Sequence, residues 1–187
     1  AHGGGVLGQG GSAAQRYLLS GWVDNYNPVN PLVIAHSQLR GVYLFARTFA
    51  SGVNVALTNN LLHRCPFTFE QGFTGYYTFS PFTLSCYNNI FQGGTHKFNY
   101  QTNTSTWTVK DSLFDCDVLT NISSYYGFTA GNNGYRSGLT SLGGSGNKTG
   151  LVPDYQSGAA TNWFGVLGNY YYPTNGTSSS LTNLINT

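Results

Sequence analysis

The chain has 187 residues, enough for one domain with a hydrophobic core, and 40% of them are hydrophobic. Only 7% are Asp, Glu, Lys or Arg, against roughly 25% in ordinary soluble domains, so the surface must consist largely of neutral polar side chains. The net charge of +2 is spread without a run of Lys or Arg, which excludes the usual electrostatic pattern of nucleic-acid binding. The longest apolar candidate, residues 31–55, is interrupted by His36, Arg40 and Arg47, so no membrane span is expected.

The first 15 residues are rich in glycine, and Val6 and Leu7 are their only sizeable apolar side chains. We predict a flexible N-terminal arm over residues 1–15. It is either a disordered leader or a segment that becomes ordered by pairing with an exposed strand edge of a neighbouring copy. Gly3, Gly5 and Gly8 match G-x-G-x-x-G, but no strand precedes them. Because dinucleotide binding needs a strand before the glycines and a helix after them, no cofactor is expected.

Short β-branched and aromatic segments separated by Gly, Pro and Asn follow the arm at residues 16–23, 32–39, 42–50 and 53–57. Their composition favours strands over helices. Residues 65–86 then form the densest aromatic stretch, and the alternation around Gly72 and Gly75 predicts a hairpin buried in the core.

Three cysteines, Cys65, Cys86 and Cys116, allow one disulfide and leave one thiol over. A bridge from Cys65 to Cys86 would close the aromatic hairpin, whereas a bridge from Cys86 to Cys116 would join it to later strands. The remaining cysteine is expected as a buried free thiol or in an intermolecular bridge.

A second hairpin is predicted at residues 96–111, followed by a strand at 112–119 that carries Asp115 and Asp117 on one face. Two carboxylates in this arrangement are compatible with an acid–base pair or with a cation site. A solvated strand end beside Lys110 is the interpretation that we favour. Ser-His-Asp or Cys-His catalytic patterns cannot be singled out, and no zinc spacing accompanies His63 and Cys65, so the sequence predicts neither an enzyme nor a metal site.

Residues 130–162 are rich in glycine and asparagine and lack periodicity, which predicts a long surface loop. Residues 163–172 are predicted to form a final aromatic strand. No internal repeat is visible at a fixed period. The chain is therefore expected to be a single all-β domain over residues 16–187, arranged as a β-sandwich or jelly roll.

Four sequons place candidate glycosylation sites at Asn103, Asn121, Asn147 and Asn175, and the chain begins at Ala1 without any methionine. Both features favour a secreted, extracellular or particle-surface protein whose targeting segment has been removed. Exposed tyrosines at Tyr125, Tyr126 and Tyr135 are candidates for stacking on sugar rings.

The neutral surface, the many aromatic residues and the glycine-rich arm together predict a non-enzymatic extracellular structural subunit. It is expected to assemble with copies of itself into a filament, sheath or shell that is insensitive to pH and salt. A viral coat or spike domain is one alternative, and a carbohydrate-binding module or adhesin that binds glycans is the other.

Overall fold

The computed structural model describes residues 17–23, 31–48, 53–71, 82–100, 106–123 and 128–153. These residues contain sixteen short β-strands and no helix. In chain order the strands are β1 (Tyr17–Val23), β2 (Leu32–Ala35), β3 (Gln38–Arg40), β4 (Tyr43–Thr48), β5 (Val53–Thr58), β6 (Leu61–His63), β7 (Phe67–Gln71), β8 (Phe82–Tyr87), β9 (Ile90–Gln92), β10 (Thr95–Tyr100), β11 (Trp107–Lys110), β12 (Leu113–Asp115), β13 (Val118–Ser123), β14 (Phe128–Gly131), β15 (Gly134–Arg136) and β16 (Lys148–Leu151).

The strands form three sheets in which each strand from β1 to β12 pairs with the third strand after it. The sheet orders are β1-β4-β7-β10-β13, β2-β5-β8-β11-β14 and β3-β6-β9-β12-β15-β16. Every pairing among these strands is parallel. The chain therefore winds into a parallel β-helix, and we call one strand from each sheet in succession a rung.

The prediction of an all-β chain is confirmed for the described residues, but a sandwich or jelly roll is not the arrangement that these strands adopt. Both alternatives rest on antiparallel pairing between strands close in sequence. The two predicted hairpins are wrong for the same reason. Strands β7 and β8 lie in different sheets, as do β10 and β11, so the chain turns a corner of the β-helix where a hairpin would fold back.

The interior of the β-helix is filled by aromatic and aliphatic side chains, one layer per rung. In the third sheet Phe91, Phe114 and Tyr135 stand in register and are fully buried. The rings of Phe91 and Phe114 are stacked with centroids 4.8 Å apart, and those of Phe114 and Tyr135 are 5.4 Å apart. These separations are close to the spacing of paired strands, so the rings follow the backbone pairing.

The corner between the second and third sheets is a two-residue turn that recurs from rung to rung. Its first residue has a positive φ of 50° to 72°, and the residues concerned are His36, Asn59, Asn88, Asp111, Asn132 and Gly146. Gly, Asn, Asp and His tolerate this left-handed conformation better than other residues, which explains the composition of the position.

The second residue of each corner contributes to a continuous chain of hydrogen bonds, which we call the asparagine ladder. Its members are Ser37, Asn60, Asn89, Ser112, Asn133 and Asn147. Each backbone N–H from Ser37 to Asn133 donates to the side-chain oxygen of the next member, over distances of 3.0 to 3.1 Å. The ladder provides hydrogen-bond acceptors for backbone N–H groups at the corner, where the chain leaves one sheet and has not yet entered the next.

The segment predicted as a surface loop at residues 130–162 contains regular structure in its described part. Residues 130–153 include β15 and β16, and they bury Asn133, Tyr135 and Leu142. At Gly131 and Gly144 the backbones of successive rungs pack directly on each other. A Cβ on Gly144 would overlap the carbonyl oxygen of Ala130.

All three cysteines are buried free thiols, so the predicted disulfide is not formed in this structure. Cys65, Cys86 and Cys116 belong to the hydrophobic core. Burial raises the thiol pKa to about 11 for Cys65 and to about 12 for Cys86 and for Cys116. Each cysteine therefore acts as a small apolar side chain and not as a cross-link.

Candidate functional site

Five polar side chains follow the asparagine ladder along the third sheet, one from each of its first five strands, and we call them the polar row. Each of the five is the last residue of its strand, and the members are Arg40, His63, Gln92, Asp115 and Arg136. The first four are paired in register from strand to strand. The residue before each one is buried in the core, so the row lies on the outer face of the sheet.

His63 and Gln92 form the centre of the polar row and are joined by a hydrogen bond between the imidazole Nδ1 and the amide Oε1. Only 2% of the surface of His63 is exposed. Burial lowers the pKa of His63 below its usual value, the bond to Gln92 opposes this shift, and the charges of Arg40 and Arg64 add to it. His63 is therefore neutral at pH 7, and it can act as a hydrogen-bonding group there.

Asp115 and Arg136 form the charged end of the polar row. The guanidinium Nε of Arg136 lies 3.7 Å from Oδ1 of Asp115, and the Asp115 side chain is 11% exposed. A half-exposed arginine beside a largely buried carboxylate keeps one face of the guanidinium available to solvent.

The structure separates the two carboxylates that the sequence places on one strand face. Asp115 is largely buried and faces Arg136, whereas Asp117 is exposed and accepts a 2.8 Å hydrogen bond from the backbone N–H of Gly94. Asp117 thus stabilises the corner between the third and first sheets. Within the described ranges no group of three His, Cys, Asp or Glu residues is placed to hold a metal ion.

Tyr135 does not act as a sugar-stacking residue, because it is fully buried against Phe114 and its hydroxyl accepts a hydrogen bond from the backbone N–H of Leu142. Burial also raises its pKa. Tyr125 and Tyr126 lie outside the described residues, as do Val6 and Leu7 of the predicted arm.

The four sequons are placed unevenly. Asn103 and Asn175 lie outside the described residues, and for Asn121 only the position in β13 is described. Asn147 is the last member of the asparagine ladder, where its amide nitrogen donates to the carbonyl oxygens of Gly143 and Gly144 over 2.7 and 3.1 Å. A glycan on that nitrogen would replace one of the two hydrogens, so the fold counts against Asn147 as an acceptor. Glycosylation of the other sequons stays a prediction.

Sequence reasoning missed both the asparagine ladder and the polar row. A signal for them exists, because a residue that tolerates positive φ is followed by Asn or Ser, and the polar row stands three positions further on. The dipeptides are His36-Ser37, Asn59-Asn60, Asn88-Asn89, Asp111-Ser112, Asn132-Asn133 and Gly146-Asn147. Successive ladder members are 23, 29, 23, 21 and 14 residues apart, so a search for a fixed period fails.

No protein-family model, curated protein or solved structure matches the chain. In the part of the chain that the structure describes, no helix is long and apolar enough to cross a membrane. The β-helix architecture, the asparagine ladder and the polar row are the features of the described residues that bear on function.

Proposed function

We propose that the protein is a non-enzymatic extracellular structural subunit that assembles with copies of itself into a filament. The observation that carries the proposal is the polarity of the β-helix. Because all described pairings are parallel, the end formed by β3 differs from the end formed by β16. A contact between unlike ends is heterologous and repeats from copy to copy in one direction, which produces a filament wherever the rotation between copies does not close a ring.

The strand edges at the two ends favour such a contact. Among the described strands, β1, β2 and β3 have a neighbour on one side only, and so do β13, β14 and β16. An edge of this kind offers backbone N–H and C=O groups to another chain. The N-terminal arm at residues 1–15 is the segment that we propose to pair with such an edge of the next copy, through its backbone and through Val6 and Leu7.

The low charge of the chain supports the same proposal. Only 7% of the residues are charged, so copies that approach one another meet little electrostatic repulsion. The described charges also lie partly in the polar row, where Asp115 and Arg136 neutralise each other.

Sedimentation velocity and negative-stain electron microscopy over a range of concentrations test the proposal. Filaments of uniform width are expected for the intact chain, and a variant without residues 1–15 is expected to stay monomeric with an unchanged β-type circular dichroism spectrum. The double variant Val6→Ser, Leu7→Ser keeps the arm length and separates side-chain from backbone contributions. An intact protein that remains a monodisperse monomer at high concentration would exclude the proposal, and assembly without the arm would exclude only the strand exchange.

Carbohydrate binding is a second candidate, and the polar row is the observation that favours it. Arg40, Gln92 and Arg136 are the partly exposed members of the polar row. Their guanidinium and amide groups, on strands spaced about 4.8 Å apart, can bond the hydroxyls of a linear saccharide laid across the strands. Glycan-array binding that is lost in Arg136→Ala and kept in Lys148→Ala would support this candidate. An array without any binding would remove it.

A further inference from the structure

The asparagine ladder has an open end at Asn147. Each earlier member from Ser37 to Asn133 donates its backbone N–H to the side-chain oxygen of the next member. Among the described residues none accepts a hydrogen bond from the backbone N–H of Asn147. The strand that follows it, β16, is also the outermost described strand of the third sheet.

The chain continues for 34 residues beyond Pro153, and its sequence repeats the pattern of two earlier rungs, those that contain β11–β12 and β14–β15. Residues 164–172 read FGVLGNYYY, compared with FTAGNNGYR at 128–136 and WTVKDSLFD at 107–115. An aromatic residue comes first and a small or β-branched residue stands two positions later in all three segments. The seventh and eighth residues, YY, stand where the earlier rungs have GY and LF.

The central positions of this match correspond to the two residues of the corner between the second and third sheets. Gly168 aligns with Asn132 and Asp111, which adopt positive φ values of 52° and 53°, and glycine adopts that conformation most readily. Asn169 aligns with the ladder members of those rungs. Tyr171 aligns with Phe114 and Tyr135 of the aromatic stack.

The distance along the chain also fits. Asn169 follows Asn147 by 22 residues, within the range of 14 to 29 residues between the observed ladder members. Residues 154–163 are enough to cross the first sheet before the second is reached, because extended chain covers about 3.3 Å per residue.

We propose that the open end at Asn147 and β16 is a docking surface for residues 164–172 of the same chain, with Asn169 as the next member of the asparagine ladder. These residues lie outside the described ranges, and the assignment rests on the open end and on the sequence match. The backbone N–H of Asn147 then donates to Oδ1 of Asn169. The inference does not depend on assembly, because the occupant belongs to the same chain.

Amide hydrogen exchange at Asn147 in the full-length protein tests the proposal. The Asn147 amide is expected to exchange at least about tenfold more slowly than the amides of the exposed segment 143–145, and Asn169→Ala is expected to abolish that protection. Asn169→Ser is expected to preserve most of it, because the hydroxyl of Ser112 accepts the ladder bond from the backbone N–H of Asn89. Asn183→Ala, which lies outside the matched segment, is the control without effect.

A second pair of variants tests the corner independently of the ladder. Gly168→Asn is expected to leave the unfolding midpoint nearly unchanged, whereas Gly168→Val is expected to lower it, since a β-branched residue does not adopt positive φ. A fast-exchanging Asn147 amide in the intact protein, or protection unaffected by Asn169→Ala, would overturn the proposal. Protection that depends on protein concentration would overturn it as well, because the acceptor would then belong to a second copy.

Discussion

Two corners of the β-helix differ in how their length is controlled. Between the second and third sheets the connection is always two residues long, from Ser37 to Asn133, and buried side chains of the asparagine ladder satisfy its backbone. Between the first and second sheets the connections are residues 24–31, 49–52, 72–81, 101–106 and 124–127. The corner that is tied together by buried amides has a fixed length, whereas the other varies in length and is expected to absorb insertions.

Inserting the same two residues at each corner is expected to have the largest effect on stability. Gly-Ser between Asn88 and Asn89 is expected to prevent cooperative folding, because it displaces a buried amide that bonds five backbone or side-chain groups. Gly-Ser between Gly75 and Tyr76 is expected to cost less than about 1 kcal/mol, since loop entropy rises slowly with length. Urea unfolding followed by circular dichroism measures both. Equal loss at the two corners would show that the variable corner is also fixed.

A single substitution in the asparagine ladder is expected to have a smaller effect than the insertion. In Asn89→Ala the backbone N–H of Asn60 and the carbonyl oxygens of Leu57 and Tyr87 lose bonds of 2.9 to 3.1 Å. Each unsatisfied buried group costs about 1–3 kcal/mol, so a total destabilisation of about 3–5 kcal/mol is expected.

The matched controls are the neighbouring residue and a conservative change. Asn88→Gly removes an exposed side chain at positive φ and is expected to change stability by less than about 1 kcal/mol. Asn89→Ser is expected to fall between the two, because Ser112 accepts from Asn89 and donates to Lys110 in the same position of its own rung. Should Asn89→Ala cost no more than Asn88→Gly, the ladder would not be what fixes the corner.

These corners also explain how much of the structure could be predicted from the sequence. Period-two aromatic residues with turn residues between them indicate strands, and that prediction is confirmed in the described residues. The same pattern does not distinguish a hairpin from a β-helix corner, because it does not show which strands pair. In a hairpin the partner is the next strand along the chain, whereas here the partners of most strands lie 21 to 29 residues away. The ten-residue connection at 72–81 lengthens one rung and hides the repeat.

The site residues are harder to predict for a related reason. A lone Asn or Ser after a turn residue looks like an ordinary surface turn, and only the stacking of successive rungs buries Asn60, Asn89 and Asn133. The polar row is equally hard to recognise in the sequence. His63 and Gln92 are far apart along the chain and become neighbours only through the register of their strands. Tyr135 is predicted at the surface only because its glycine-rich surroundings resemble a loop.

The corner between the third and first sheets introduces a dependence on pH that the small number of titratable groups does not suggest. His96 is fully buried between the rings of Phe67 and Phe91, and its Nε2–H donates to the carbonyl oxygen of Gly93. Its Nδ1 has no hydrogen-bond partner among the described residues. Burial lowers the pKa of His96 from 6.5 to about 4, against smaller opposing effects of the Gly93 bond and of the nearby charge of Asp117.

Because the folded state lowers this pKa, the neutral imidazole is the form that the fold accepts. The contribution of His96 to the free energy of unfolding is therefore fully present above pH 6.5. It decreases as the pH falls, because the unfolded chain binds a proton, and it is fully lost below about pH 4. A shift of this size corresponds to a loss of about 3 kcal/mol. His63, whose pKa is also lowered, contributes in the same direction.

Unfolding midpoints in urea between pH 8 and pH 4.5 measure the effect. The wild-type protein is expected to lose stability over this interval, and His96→Phe is expected to lose distinctly less, although it starts lower because the Gly93 carbonyl has lost its donor. His36→Gln, at an exposed histidine, should follow the wild-type curve. Parallel curves for wild type and His96→Phe would show that this buried ring does not titrate with folding.

The smallest expected effect also concerns the corner between the third and first sheets, where no side-chain ladder is present among the described residues and backbone conformation alone selects the residue. Gly41, Arg64 and Gly93 occupy equivalent positions there with φ values of 62°, 48° and 64°. Arg64 is exposed and carries the strain of a left-handed conformation, about 1–2 kcal/mol, that glycine avoids. Glycine in turn loses about 0.5–1 kcal/mol more chain entropy on folding.

Arg64→Gly is therefore expected to stabilise the protein by about 0.5 kcal/mol, as the difference between these two costs. The opposite kind of change, Gly93→Ala, is expected to destabilise it by about 1 kcal/mol, because it adds the strain and brings a Cβ to 3.2 Å from Cγ of Arg64. That contact is absent in the double variant, so Gly93→Ala should cost slightly less in the Arg64→Gly background than in the wild-type protein. Destabilisation by Arg64→Gly in thermal or urea unfolding would contradict this account and would show that the arginine side chain, and not its backbone, matters at this corner.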